Sequence, residues 1–122
     1  MKLLLQLEEL ALFALGVVFF STLGYSWWTF LGLILAPDIG MLGYLVNSKV
    51  GAVSYNLLHH RGIAIVVGLL GFSLSIPILT LTGTILFTHA AMDRMLGYGL
   101  KYSDNFAHTH LGMIGQKNPE HG

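Results

Sequence analysis

Apolar residues run almost unbroken through four stretches, at residues 4–23, 26–46, 50–71 and 76–97, and polar residues gather in the gaps between them. Each stretch is close to the ~20 residues that an α-helix needs to cross the hydrocarbon of a bilayer. The gaps carry turn chemistry: Gly24-Tyr25-Ser26, Asn47-Ser48, and Gly71-Phe72-Ser73 through Pro77. Connections this short make neighbouring helices antiparallel, so the expected fold is all-α, a four-helix transmembrane bundle running up-down-up-down over residues 1–97. Residues 98–122 turn polar and are expected to form a short cytoplasmic tail that caps the bundle near Phe106. Lys2 before an apolar run resembles the start of a signal peptide. Glu8 and Glu9 interrupt that run, however, and no A-x-A pattern follows, so the first stretch is read as a retained helix.

Composition strengthens the membrane reading. Of 122 residues, 54% are hydrophobic and 10% charged, and between Leu10 and Met92 the only charged side chains are Asp38, Lys49 and Arg61. The formal net charge is +0, which leaves no basic surface to neutralise phosphates and argues against a nucleic-acid partner. Cysteine is absent, so disulfides and thiolate chemistry are excluded. Lys2, Lys49, Arg94, Lys101 and Lys117 all fall on the side shared by the N-terminus, the middle loop and the tail, which places both termini in the cytoplasm. Trp27 and Trp28, with Tyr25, suit an interfacial anchor on the opposite face.

The chemistry lies where the apolar pattern fails. At the rise of a helix, Asp38 is about 14 Å from the cytoplasmic end of the second stretch, His59 about 14 Å into the third, and His89 about 12 Å from the end of the fourth. Asn56 and Asp93 sit one turn nearer the cytoplasm, on the same helix faces as His59 and His89 respectively, and Thr82 continues the fourth stripe outward. A carboxylate deep in hydrocarbon costs several kcal/mol unless paired, protonated or coordinated, so Asp38, Asn56, His59, His89 and Asp93 are expected to share one interior site. Pro37 frees a backbone carbonyl one turn earlier, and Gly40 and Gly43 let neighbours approach. Imidazole and carboxylate suit a divalent metal ion such as zinc, manganese or iron, which makes all five candidate metal ligands. The bland reading of the same residues is interhelical hydrogen bonding.

His60 is about 100° round from His59 and is assigned elsewhere. Arg61 either pairs with an interior carboxylate or holds an anionic headgroup; Gly62 would alternatively permit a break in the third helix. In the tail, GYGLKY at 97–102 reads as a helix stop with Tyr98 and Tyr102 as anchors. Lys101 can reach a headgroup phosphate, and His110 can act as a general acid or base if the tail folds back; these two are the candidate catalytic residues.

The strings APDIGMLGYLVNSKVGAVSYNLLHH and HAAMDRMLGYGLKYSDNFAHTHLG, with the spacing between them, resemble the domain of unknown function 4260 family of small bacterial integral membrane proteins, over nearly the whole chain to about Gly115. The resemblance implies a location in the bacterial inner membrane. It also implies that Asp38, Asn56, His59, His89, Asp93, Gly97, Tyr98, Gly99, Lys101, Tyr102 and His110 stand at motif positions, whereas His60 and His108 do not. It implies no particular reaction.

The leading functional expectation is a metal-dependent membrane hydrolase acting on a lipid or another apolar substrate that enters from the bilayer. Three alternatives accompany it: a haem- or quinone-binding electron carrier with His59 and His89 as axial ligands, a small proton-coupled transporter, and a non-catalytic bundle with a polar core. A transporter of four short helices would need a homodimer to enclose its pathway.

Overall fold

The computed structural model describes residues 1–97 together with residues 108, 109 and 111–113. It contains α1 (Lys2–Ser21), α2 (Trp27–Leu33), a 3₁₀ segment (Ala36–Leu45), α3 (Ser48–His59), α4 (Arg61–Leu74) and α5 (Pro77–Met95). A two-residue antiparallel pairing joins His108–Thr109 to Gly112–Met113. The chain is thus essentially all-helical, as its pattern indicates, but two of the four expected helices are not single regular ones.

The second stretch changes character at Pro37. Its ring and missing N–H disfavour an α-helical bond to Leu33, and the chain tightens, with Asp38 N–H donating to Leu35 O at 3.1 Å. The third stretch breaks at His60, whose backbone is extended and whose Nδ1 accepts from Ile63 N–H at 3.1 Å, capping α4. There α3 and α4 meet at 49°, which is the break that Gly62 was expected to permit.

By length and composition, two helical stretches, Lys2–Ser21 and Trp27–Leu45, can cross a membrane, and a third can if the bent pair α3–α4 is one span. The fourth expected span, α5, has the length but a more polar composition, because it is the interior helix. It packs between α1 and α4, and Thr80, Thr84, Thr88, His89 and Asp93 are all buried. The hydroxyls of Thr84 and Thr88 donate to the carbonyls four residues earlier, at 2.8 and 2.7 Å, so α5 satisfies them within itself. Thr82, expected on this inward stripe, is instead exposed and bonds Ile78 O at 2.7 Å. Thr82 is two turns before His89 and so lies on its side of the helix, but there it borders an open recess beside Pro37 and Ile39, while Thr80, Thr84 and Thr88 pack inside.

Outside this polar interior the surface is apolar: Leu3, Leu15, Val18, Leu31, Leu69 and Phe72 are all exposed. Polar groups within and hydrocarbon side chains without suit a lipid surround, and the apolar helices near the N-terminus point to a membrane protein. At one end Phe20, Phe30, Ile34, Leu81 and Ile85 form an apolar cluster, with Trp27 packed 5.3 Å from the Phe20 ring and Trp28 exposed.

The 3₁₀ segment lies along α3, and glycine makes that contact possible. A Cβ on Gly40 would come 2.9 Å from Ser54 O. In its absence Ser54 Oγ–H donates to Gly40 O at 2.5 Å. This clamp, two residues beyond Asp38, presses the segment carrying the carboxylate against the helix carrying His59.

Candidate metal centre

Two imidazoles face each other across the interior, and each is oriented by its own backbone partner. His59 Nδ1 is 2.8 Å from Tyr55 O, four residues back in α3, while the Tyr55 ring stacks on the imidazole at 3.8 Å between centroids and 8° between planes. His89 Nδ1 bonds Ile34 O. That carbonyl is available because Asp38 N–H has gone to Leu35 in the 3₁₀ turn instead of to residue 34. A carbonyl only accepts, so both Nδ1 atoms carry the proton, and in neutral rings both Nε2 atoms present lone pairs to the centre.

Those Nε2 atoms are 3.0 Å apart. Asp38 Oδ1 lies 3.3 Å from His59 Nε2 and 3.0 Å from His89 Nε2. Asp93 Oδ2 is 3.2 Å from each. The four atoms lie within 4.8 Å of one another, so the cluster can hold a metal ion. Two carboxylates and two lone pairs bring two negative charges and no inward-facing proton, which a divalent cation balances. Protonating both imidazoles would also balance charge, but it would aim two N–H groups at each other across 3.0 Å. The separations of 3.0–3.3 Å lie in the range of donor–donor edges around one ion, since ligand bonds of about 2.0–2.2 Å give edges of roughly 2.8–3.1 Å in an octahedron and roughly 3.3–3.6 Å in a tetrahedron.

The environment is asymmetric. His59 and His89 are buried and Asp93 nearly so, whereas the Asp38 side chain is 42% exposed and forms the open side. An apolar recess of about 220 Å³ is lined by Pro37 and Ile39, on either side of Asp38 in sequence, and by Leu58, Leu81, Thr82 and Ile85.

Of the five expected ligands, the structure brings together Asp38, His59, His89 and Asp93. Asn56 is half-buried one turn before His59. His60 points away to its capping role. Arg61 pairs with Glu9 of α1, with Nη1 2.6 Å from Oε2, which realises the interior-carboxylate expectation with a partner outside the centre. Lys101 and His110 lie outside the described residues. The haem arrangement is disfavoured, since nitrogens 3.0 Å apart leave no room for a macrocycle between them.

Tyr55 went unrecognised in the sequence, although its Oη is 3.3 Å from Asp93 Oδ2 and thus donates to the carboxylate while its ring orients His59. The available signal was its place four residues before His59, on the same helix face.

Fold and site together define a class: an all-helical protein with apolar outer helices and an Asp/His cluster, able to hold a metal ion, in its interior. Residues 2–114 match the family described as Domain of unknown function (DUF4260), and the chain belongs to that family. No curated protein and no solved structure matches it.

Proposed function

We propose that the protein is a membrane-embedded, metal-dependent hydrolase whose centre comprises Asp38, His59, His89 and Asp93, with Asn56 a further ligand from the adjoining turn of α3. The observation that carries this reading is the pair of Nε2 lone pairs held 3.0 Å apart by backbone-locked imidazoles and flanked by two carboxylates. Such a constellation is costly in an apolar interior without a cation at its middle.

A bound zinc, manganese or iron ion supplies Lewis acidity and a more acidic water. The chain supplies the rest. Tyr55 Oη–H steadies Asp93, the two carbonyls hold the imidazoles in one tautomer, and the partly exposed Asp38 leaves one side approachable. The apolar recess lined by Pro37 and Ile39, the sequence neighbours of Asp38, supports a lipid or other apolar substrate entering from the bilayer. Hydrolysis adds one water across the scissile bond, its oxygen to the acyl or phosphoryl group and its protons shared with the leaving group and solvent. From the tail, Lys101 would contact a headgroup phosphate and His110 would move that proton.

In the membrane, α1, the Trp27–Leu45 stretch, the bent α3–α4 pair and α5 are the four spans of an up-down-up-down bundle in the bacterial inner membrane, with both termini cytoplasmic. The run of Lys and Arg on one side supports this orientation. Reporter fusions at Gly122 and within 71–75 should be active on opposite sides, the former in the cytoplasm; a Gly122 reporter active only outside would overturn it.

Elemental analysis of detergent-purified protein tests the centre itself. Wild type should carry close to one equivalent of a transition metal and Asp38→Ala much less. Equal content in both preparations, or none in the wild type, counts against the reading.

A further inference from the structure

Beside this centre lies a second polar cluster that the hydrolytic chemistry does not use. Gln6 and Glu9, three residues apart on α1, share a face. Gln6 Nε2–H donates to Met95 O at 3.3 Å, which sets that face against the last turn of α5, where Arg94 stands. Glu9 Oε2 accepts from Arg61 Nη1 at 2.6 Å, which brings in the start of α4. Arg94 is half-buried and within electrostatic reach of both Arg61 and Glu9.

The charges do not balance. Two guanidiniums share one carboxylate, Arg61 is engaged with it, and among the described residues Arg94 donates no hydrogen bond. At the end of α5 that faces the cytoplasm in the proposed orientation, a half-buried guanidinium whose planar fork of donors is unspent matches the oxygens of a phosphoryl group at the level of the lipid headgroups. Its position ties it to the centre: Arg94 follows Asp93 directly and Arg61 comes two residues after His59.

We propose that Arg61 and Arg94, opposed among the described residues by Glu9, bind a phosphoryl oxyanion, and that the substrate of the adjoining centre is therefore a phosphorylated one. The second half of this statement rests on the proposed hydrolase; the anion site itself does not. In it Arg94 supplies the free fork, Arg61 a second positive charge, and Glu9 holds Arg61 in place.

The test measures binding of dioleoyl phosphatidate to the full-length protein in detergent, by native mass spectrometry, with oleate as a charged control lacking phosphorus and inorganic phosphate as competitor. Wild type should retain phosphatidate over oleate. Arg94→Gln should weaken that retention by roughly tenfold or more, and Arg94→Lys, which keeps the charge but loses the fork, by less. Competition by millimolar phosphate would assign the site to a soluble phosphate, and its absence to a lipid headgroup; either supports an oxyanion site. Equal retention by wild type and Arg94→Gln, or equal binding of oleate and phosphatidate, would overturn it. Repeating the measurement with His89→Gln separates the two ideas: phosphatidate binding that survives a lost metal leaves the anion site standing alone, and metal retained without phosphatidate selectivity rejects it alone.

Discussion

Asp93→Asn and His89→Gln should each empty the metal centre while leaving the helices folded. Both amides keep the size of the side chain and much of its hydrogen bonding, so the packing of α5 against α1 and α4 has no reason to fail. What they lose is a ligand: a carboxylate oxygen that touches both imidazoles at 3.2 Å, or the nitrogen that lies 3.0 Å from both His59 and Asp38. Metal content should drop from near one equivalent to background. Melting the proteins in detergent with and without a chelator adds a sign. A metal that binds only the folded state at a concentration 100 times its dissociation constant stabilises it by about 2.7 kcal/mol. Wild type should therefore melt at a lower temperature with chelator, and the variants should start low and not respond. If the cluster were only interhelical hydrogen bonding, worth about 0.6 kcal/mol per contact in a membrane, the amides would be almost silent. Removing a buried carboxylate would then be neutral or stabilising. Superimposable curves for wild type and Asp93→Asn, with and without chelator, would dispose of the metal centre.

Arg61→Leu should destabilise the fold by about 3 kcal/mol, and Glu9→Gln in the same protein should restore much of the loss. The 2.6 Å pair is mostly buried, with side-chain exposures of 24% for Arg61 and 12% for Glu9, so removing the cation takes away the hydrogen-bonded partner of Glu9 and leaves its charge offset by Arg94 alone among the described residues. Breaking a buried pair costs ~3–5 kcal/mol, whereas replacing both partners is often near neutral. Arg61 is partly exposed, so the lower end applies. Equilibrium unfolding of the two single variants and the double variant in mixed micelles gives the coupling directly. Additive losses would show that the pair is not a unit, and α1 would then be held to α5 by packing and the Gln6–Met95 hydrogen bond.

How much of this was legible beforehand follows from two different constraints. The depth of a residue in an apolar helix is set by 1.5 Å per residue, and an ionisable side chain at that depth must find company. Asp38, His59, His89 and Asp93 therefore declared themselves as a set, although they are contributed by three separate segments. Asp38 and Pro37 together also foreshadowed a disturbed second helix. The same reasoning could not separate a tilted span from a broken one, because an apolar run looks alike in both. Thus His60, read only as facing away from the site, turned out to divide α3 from α4 at 49°.

The sequence by itself determined the helical class, the apolar exterior and the residues that would have to cluster, because each of these depends on composition and on rise along a single helix. Tertiary structure alone decided that α5 is the interior helix, that Arg61 takes its partner from α1, and that Tyr55 and the Ile34 carbonyl orient the two histidines. Those outcomes depend on how helices rotate against one another and on which backbone carbonyl is left without an N–H when Pro37 tightens the chain. That carbonyl, released in one segment and accepting a hydrogen bond from His89 Nδ1–H on another, fixes which imidazole nitrogen faces the centre.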